Sequence, residues 1–270
     1  MKVGDFEFNV QIRGEGKPFL WAHGLNASIE AEDILDWFEW EKFPPTVKLV
    51  RYDARGHGKS QFSPDVADYH WRRLGEDMLK IGAAVSAEPF IAGGDSMGCA
   101  TAIYAALLAP ERVRGLVLAL PPAFWERRAA QGKSQRRAAA IVRLLGRFGD
   151  GLLKRMLSSS AGSALPGWLV QAEPEMAQRM AAMTRLLNPR TMAITMQGAA
   201  ETDLPPREEL RALANIPALI LAWVDDPTHP VESAEELHRL LPASELFIIR
   251  SYDDYKKMPG CIRDFVVSLN

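Results

Sequence analysis

Pro89-Phe90-Ile91-Ala92-Gly93-Gly94-Asp95-Ser96-Met97-Gly98-Cys99 decides how this chain is read. A short apolar run, Pro89 to Ala92, leads into G-D-S-M-G, and a segment of helical character follows from Cys99 to Leu108. Strand, G-x-S-x-G, helix is the sequence form of a nucleophile elbow. Such a turn forces its serine into a strained backbone conformation, and side chains two residues to either side would collide. Gly94 and Gly98 meet that requirement. The strain lifts the Ser96 hydroxyl clear of the sheet, where a base and a substrate carbonyl can reach it. Five residues with two glycines recur by chance, so the flanking strand and helix carry the weight.

Around this point the first half alternates strand and helix. Phe6 to Ile12 alternates like a half-buried strand, while Pro18 to Ala22 and Val47 to Tyr52 are apolar runs suited to buried strands. Asp68 to Val85 has helical spacing, with Trp71, Leu74, Met78, Ile81 and Val85 on one face. Val113 to Leu120 is another buried strand. Strands separated by helices imply parallel pairing with right-handed crossovers. The pattern changes after Pro121-Pro122. From Ala123 to Gln197 the periodicity is helical, with Met156, Met176, Met180, Met183, Met192 and Met196 as core filler or pocket lining. Arg127, Arg128, Arg136, Arg137, Arg143 and Arg147 suggest a solvated face. Ser158 to Ser163 reads as a flexible hinge. Alternation resumes at Ala218 to Val224, then Ala234 to Leu241, Leu246 to Ile249 and a final helix near Ile262 to Leu269. The expected organisation is an α/β core of residues 1–122 and 198–270, interrupted after its sixth strand by a helical lid of residues 123–197.

Composition narrows the function. The chain has 270 residues, 47% hydrophobic and 24% charged, which fits one large α/β domain with a sizeable core. A net charge of −2 makes no electrostatic case for nucleic acid or an anionic membrane. No apolar run resembles a signal peptide or a membrane span. Cys99 and Cys261 are isolated, so they imply neither a disulfide framework nor a metal cluster, and a reducing cytoplasm is expected. No histidine–carboxylate set has ligand spacing, so no metal or cofactor is expected. The expected partner is a small-molecule substrate, and the expected assembly a monomer or homodimer.

Three further motifs lie where an elbow enzyme needs them. Trp21-Ala22-His23-Gly24-Leu25-Asn26 follows the second strand. A turn there can aim the Leu25 amide at the elbow and, with the amide of Met97, form an oxyanion hole. Asp53-Ala54-Arg55-Gly56-His57-Gly58-Lys59-Ser60 is a glycine-rich loop after the third strand. Asp225-Asp226-Pro227-Thr228-His229-Pro230 follows a strand directly, so an acid there stands at the carboxyl end of the sheet, where such folds build sites. Asp226 is preferred to Asp225 because Pro230 lies four residues on. His23, Asn26, Asp95 and His70 are the candidate substrate contacts.

Together these motifs resemble the α/β-hydrolase superfamily, in its branch of lid-bearing esterases, lactonases, C–C bond hydrolases and cofactor-free haloperoxidase-like proteins. His23-Gly24, the D-x-R-G-H-G-x-S loop at Asp53 to Ser60, Gly94 to Gly98, Pro110-Glu111-Arg112-Val113 and the Asp226 turn carry the likeness over nearly the whole chain. The resemblance implies chain order serine, acid, histidine, with the histidine after the last strand. Ile249 to Gly260 contains none. Dehalogenases and epoxide hydrolases of the superfamily use an elbow aspartate instead. Centring the elbow on Asp95 would put Met97 where glycine is required, which argues against that. The histidines are His23, His57, His70, His229 and His238. His229 lies three residues after Asp226, and Pro230 biases it to extended backbone. The expected base is therefore His229, with Ser96 as nucleophile and Asp226 as orienting acid, which requires roughly 2.6–3.2 Å between hydroxyl oxygen and imidazole nitrogen. His229 as a plain pocket residue is the competing reading. Three functions follow: a serine hydrolase of small, mostly apolar esters, lactones or related carbonyl compounds; a lyase, isomerase or cyclase using the oxyanion hole alone; and a ligand-binding protein that kept the pocket.

Overall fold

The computed structural model describes residues 1–146 and 149–270; Arg147 lies outside the described residues. The expected first strand is broken in two. A small antiparallel pair, β1 (Lys2–Val3) and β2 (Phe6–Glu7), precedes β3 (Val10–Arg13). Asn9 makes the break. Its amide donates to Ser60 Oγ at 2.9 Å and its side chain to Asp53 at 2.8 Å, which turns this stretch toward the glycine-rich loop.

Beyond this edge the strands are β4 (Pro18–Ala22), β5 (Lys48–Tyr52), β6 (Phe90–Asp95), β7 (Val113–Ala119), β8 (Ala218–Trp223) and β9 (Ser244–Ile249). They form a seven-stranded sheet in the order β3-β5-β4-β6-β7-β8-β9. β3 pairs antiparallel with β5, and the remaining pairs are parallel. The apolar strands divide their side chains between two cores, as a parallel sheet covered on both faces requires. Leu20, Ala22, Ala92, Leu116, Leu118 and Ile220 belong to one cluster. Phe19, Trp21, Ile91, Val117, Leu219 and Trp223 belong to the other.

The flanking helices are α1 (Ile29–Leu35), α2 (Trp71–Val85), α3 (Met97–Leu108), α9 (Val231–Leu240) and α10 (Tyr252–Ser268). α2 buries Trp71, Leu74, Met78 and Ile81 as its periodicity requires, but starts at Trp71 because residues 66–69 form a separate 3₁₀ turn. α10 begins ten residues before the expected final helix. Ser251 caps it by accepting from the Asp254 amide at 3.2 Å, and the helix runs on through Pro259.

Between β7 and β8 the described residues are helical: α4 (Arg128–Leu145), α5 (Asp150–Ser160), α6 (Gly167–Ala172), α7 (Glu175–Met183) and α8 (Pro189–Ala200). Three expectations are corrected. The segment follows the fifth strand of the main sheet in chain order, not the sixth: β3, β4, β5, β6 and β7 precede it, and β1 and β2 form a separate pair. Its last helix continues to Ala200, so the boundary between 197 and 198 falls inside α8. The serine run is no hinge: α5 reaches Ser160 and a 3₁₀ turn continues to Ala164. Ser160 Oγ donates back to the Met156 carbonyl at 3.2 Å, and Ser158 Oγ meets Thr184 Oγ1 at 2.5 Å, so these hydroxyls are satisfied within helical backbone. Arg128 departs from the solvated face too. It is 5% exposed, its guanidinium donates to the carbonyls of Thr202 and Ala199, and it stacks 4.3 Å above Trp71. Burial lowers its pKa to about 10.

Candidate active site

The strand order reverses between β4 and β6: β5 lies on one side of β4, and β6 with all later strands on the other. The crevice beyond the carboxyl ends of two such strands is where open α/β sheets bind ligands. Here β4 ends into Gly24-Leu25-Asn26, and β6 ends at Asp95, directly before Ser96. The two motifs read from the sequence are therefore brought together by topology.

Ser96 has φ 51° and ψ −113°. Left-handed φ is unusual for serine and marks stored strain. Gly94 and Gly98 make the turn possible. A Cβ on Gly98 would overlap the Ala22 carbonyl of β4, and one on Gly94 would lie 2.5 Å from both that carbonyl and Gly98. Beneath the turn, Cys99 Sγ donates to the carbonyls of Ala119 and Gly94 at 3.0 and 3.3 Å; burial pushes this thiol well above its ordinary pKa.

Asp226 organises its own turn. Its Oδ1 accepts from the amides of Thr228 at 2.7 Å and His229 at 3.0 Å, and its Oδ2 accepts from His229 Nδ1 at 2.9 Å. With the Nδ1 proton committed to a carboxylate, Nε2 is left as an acceptor. It lies 2.9 Å from Ser96 Oγ. The Asp226 side chain is 2% exposed and that of His229 is 16% exposed, so the carboxylate is shielded and the imidazole keeps one face open. Asp225 is exposed, with φ 57°, and takes no part in this chain of bonds. Two contacts from the helical segment hold the turn. Trp168 Nε1 donates to the Val224 carbonyl at 3.0 Å, and Gln131 Nε2 donates to the Thr228 carbonyl at 3.1 Å. Between β9 and α10 stand Arg250 and Ser251, and Ser251 is spent capping the helix.

The turn expected to form the oxyanion hole closes by donation from the Ala27 amide to the Gly24 carbonyl at 3.1 Å. Its third residue, Asn26, has φ 63°, a position that asparagine tolerates better than most residues. Leu25 and Asn26 occupy its middle, and among the described residues neither the Leu25 nor the Met97 amide donates to a protein acceptor. The Leu25 side chain packs against both the core beneath α3 and the cluster of Val142, Met192 and Met196 on α4 and α8. Apolar surface therefore closes over this turn.

The other expected contacts fare differently. Asn26 lines a cleft of 810 Å³ between α1, the glycine-rich loop and the start of α8. Neither Ser96 nor His229 lines it, so it lies beside the Ser96–His229–Asp226 chain of bonds. His23 is corrected: it is fully buried, its Nδ1 bonds the Gly24 carbonyl at 2.8 Å, and its Nε2 accepts from the Ala54 amide at 3.0 Å. Both nitrogens serve the backbone and none is left for substrate. His70 is corrected as well. It stands at the amino end of α2 with Nε2 4.0 Å from Glu201, away from the cleft. Asp95 is buried, its carboxyl packed on Gly24 rather than presented to a ligand. Sequence reasoning passed over Glu32 and Arg51, both buried beside this turn. The available signal was an acid on the Ile29–Glu32–Leu35 stripe of a helix and an arginine inside a buried strand.

A family model described as the alpha/beta hydrolase fold matches residues 17–254. The chain belongs to the α/β-hydrolase family. Within it, the chain is 25% identical over 229 residues to 3-oxoadipate enol-lactonase 2 of Acinetobacter baylyi, covering 84% of this chain and 78% of that protein. A thermophilic esterase from Thermogutta terrifontis superposes with a TM-score of 0.80 at 23% identity, over 98% of this chain and 94% of that one. The enol-lactonase from Burkholderia xenovorans LB400 gives 0.70 at 18% identity, over 99% and 97%. At such identities these two structures establish the shared fold alone. Among the described residues no helix is long and apolar enough to cross a membrane.

Proposed function

We propose that this α/β-hydrolase is a serine hydrolase of a small, mostly apolar carboxylic ester or lactone, with its base moved from the end of the chain to the turn that carries the acid. One observation carries the reading: Ser96 Oγ, His229 and Asp226 form a continuous bonded chain with 2.9 Å at each link. That is the arrangement of a nucleophile, a base and an orienting carboxylate. In the first step Ser96 Oγ attacks the substrate carbonyl while His229 Nε2 takes its proton. The amides of Leu25 and Met97 receive the oxyanion. The tetrahedral adduct collapses to an acyl-enzyme, and His229 returns the proton to the departing alkoxide. Water then attacks the acyl carbonyl, giving its proton to His229, and Ser96 leaves with that proton. Asp226 holds the Nδ1 proton and stabilises the imidazolium without accepting it. The helices between β7 and β8 act as a lid that shapes the acyl pocket and excludes water. The enol-lactonase relative supports an ester-type bond as the target.

A fluorophosphonate probe tests this directly. Wild-type protein is expected to be labelled at Ser96, Ser96→Ala to be inert, and His229→Ala to lose roughly 10⁴-fold or more in rate. Labelling of His229→Ala at the wild-type rate refutes the relocated base. Turnover surviving in Ser96→Ala would favour a lyase or isomerase instead.

A further inference from the structure

We propose that Asp95, buried with one carboxyl oxygen unpartnered, is a protonated positioning residue of the oxyanion turn, and that its ionisation shuts the site down. This rests on the serine-hydrolase reading of Ser96 and Leu25.

Asp95 directly precedes the nucleophile, and its carboxyl packs against the glycine that precedes Leu25. A Cβ placed on Gly24 would lie 2.7 Å from Asp95 Oδ2 and 3.4 Å from Ser96 Cβ. The charge that acts on it is Glu32 of α1, 5% exposed. Glu32 is fully engaged: Oε1 accepts from Trp21 Nε1 at 2.7 Å, and Oε2 accepts from the Arg51 guanidinium at 3.1 Å. Arg51 is itself buried, and also donates to Asp33 at 2.6 Å and to the Ile29 carbonyl at 3.0 Å. One carboxyl of the pair therefore has a cation and an indole donor, and the other has neither. Asp95 Oδ1 is buried with no hydrogen-bond partner among the described residues.

Two like charges cannot both persist in such a place, so one carboxyl keeps a proton. Arg51 and Trp21 fix the ionised form on Glu32, which leaves the proton with Asp95. Burial, and then the Glu32 charge, push Asp95 well above the ordinary carboxylate range, while the amides of Gly24 and of Asp95 itself pull the other way. The remaining groups around it are Cys99 of α3, a buried thiol, and His23, committed to the Gly24 carbonyl. Neither supplies a positive charge to replace the proton.

The consequence for catalysis follows from Coulomb's law. A neutral acid beside Gly24 leaves the oxyanion hole free to accept developing negative charge. A carboxylate there faces the oxyanion from behind the same turn, in a site largely shut from water, and opposes it. The folded protein also holds a proton that the unfolded chain releases above about pH 3.9, so stability declines as pH rises from that value toward the folded one.

The test is the pH profile of p-nitrophenyl acetate hydrolysis for wild type, Asp95→Asn and Glu32→Gln, read beside infrared spectra. Wild type is expected to lose rate at alkaline pH. Asn at position 95 mimics the neutral acid and is expected to remove that alkaline limb. Gln at position 32 deletes the charge that holds the proton on, and is expected to move the limb down by about one pH unit or more, a tenfold change in proton concentration. An unchanged limb in Asp95→Asn, or a limb in Glu32→Gln that stays or rises, overturns the proposal. So does a wild type with no alkaline limb. The infrared readout needs no turnover: a protonated-carboxyl carbonyl band at neutral pH, absent from Asp95→Asn, supports the assignment, and its absence from wild type refutes it. A protein that shows the band but hydrolyses nothing sinks the hydrolase reading alone.

Discussion

At the residue scale the site depends on a side chain that folds its own loop. Asp226 spends one oxygen on two backbone amides and the other on His229 Nδ1, so one residue sets both the shape of the turn and the tautomer of His229, the proposed base. Asp226→Asn separates these tasks. An asparagine oxygen can still accept the amides, but its NH₂ donates to Nδ1 and drives the ring proton onto Nε2, where it blocks acceptance from Ser96. The expected outcome is a loss of about 10³–10⁴-fold in kcat with a melting temperature close to wild type, checked by steady-state kinetics and calorimetry. His57 makes a second residue-scale prediction. Burial first, then the nearby His23, lower its pKa from 6.5 to about 3, against a hydrogen bond to the Arg55 carbonyl that raises it. The unfolded chain takes up a proton here as pH falls below 6.5 while the folded one does not until about 3, so stability present above 6.5 is lost across that window. His57→Gln is expected to shrink the acid-induced loss of unfolding free energy by an amount on the order of a few kcal/mol, read as a shallower fall in melting temperature. An equally steep fall in the variant refutes this. That Ser96, Asp226 and His229 come together was legible in the sequence because each is marked by neighbours within five residues. That His23 and Asp95 face the protein rather than a ligand was not legible, because what they meet, the Ala54 amide and Gly24, comes from elsewhere in the fold.

Elements show the same division between local and distant causes. Strands β4, β6, β7 and β8 were readable because burial on both faces makes them continuous apolar runs. α1 escaped notice, since its stripe carries Glu32 where an apolar residue is expected, and that residue makes sense only beside Arg51 and Trp21. The start of α10 escaped because Pro259 reads as a breaker, while the Ser251 cap pulls the helix back to Tyr252. The helices between β7 and β8 touch the chemistry through Gln131 and Trp168, which hold the two ends of the base-bearing turn. The Gln131 contact is at the exposed rim, so Gln131→Ala is expected to change stability by no more than about 0.5 kcal/mol. It releases the Thr228 carbonyl next to the base, and kcat is expected to fall several-fold, since small misplacements of a catalytic group cost rate. Kinetics and a thermal melt on one preparation check this; an unaltered kcat removes the helical segment from the positioning of His229.

The whole molecule joins parts of unequal stability. Two large cores clasp the sheet, one running from Leu20 and Ala92 to Leu237, the other from Phe19 and Trp21 to Ile262. The cluster inside the inserted helices is small, formed around Ala139, Val142, Leu153, Met192, Ala193 and Met196. On the outside of α4 and α5, Ile141 and Leu144 are each 54% exposed, with Leu152 and Met156 exposed beside them. Local opening free energy follows the apolar surface that a segment buries. α4 and α5 bury little of theirs, whereas α8 contacts Tyr69 through Gly198 and shares the buried Arg128 clasp with α4. Hydrogen exchange is therefore expected to grade across the fold: fast for α5 and the carboxyl half of α4, slower for α8, slowest for β6 and β7. The last two lie between both cores and hold the elbow, so Ser96 stays positioned while the cover above Leu25 opens. A mass-spectrometric exchange series settles the point. Protection in α5 equal to that in β6 would mean that cover and sheet open as one unit, and substrate entry would then require motion of the oxyanion turn itself.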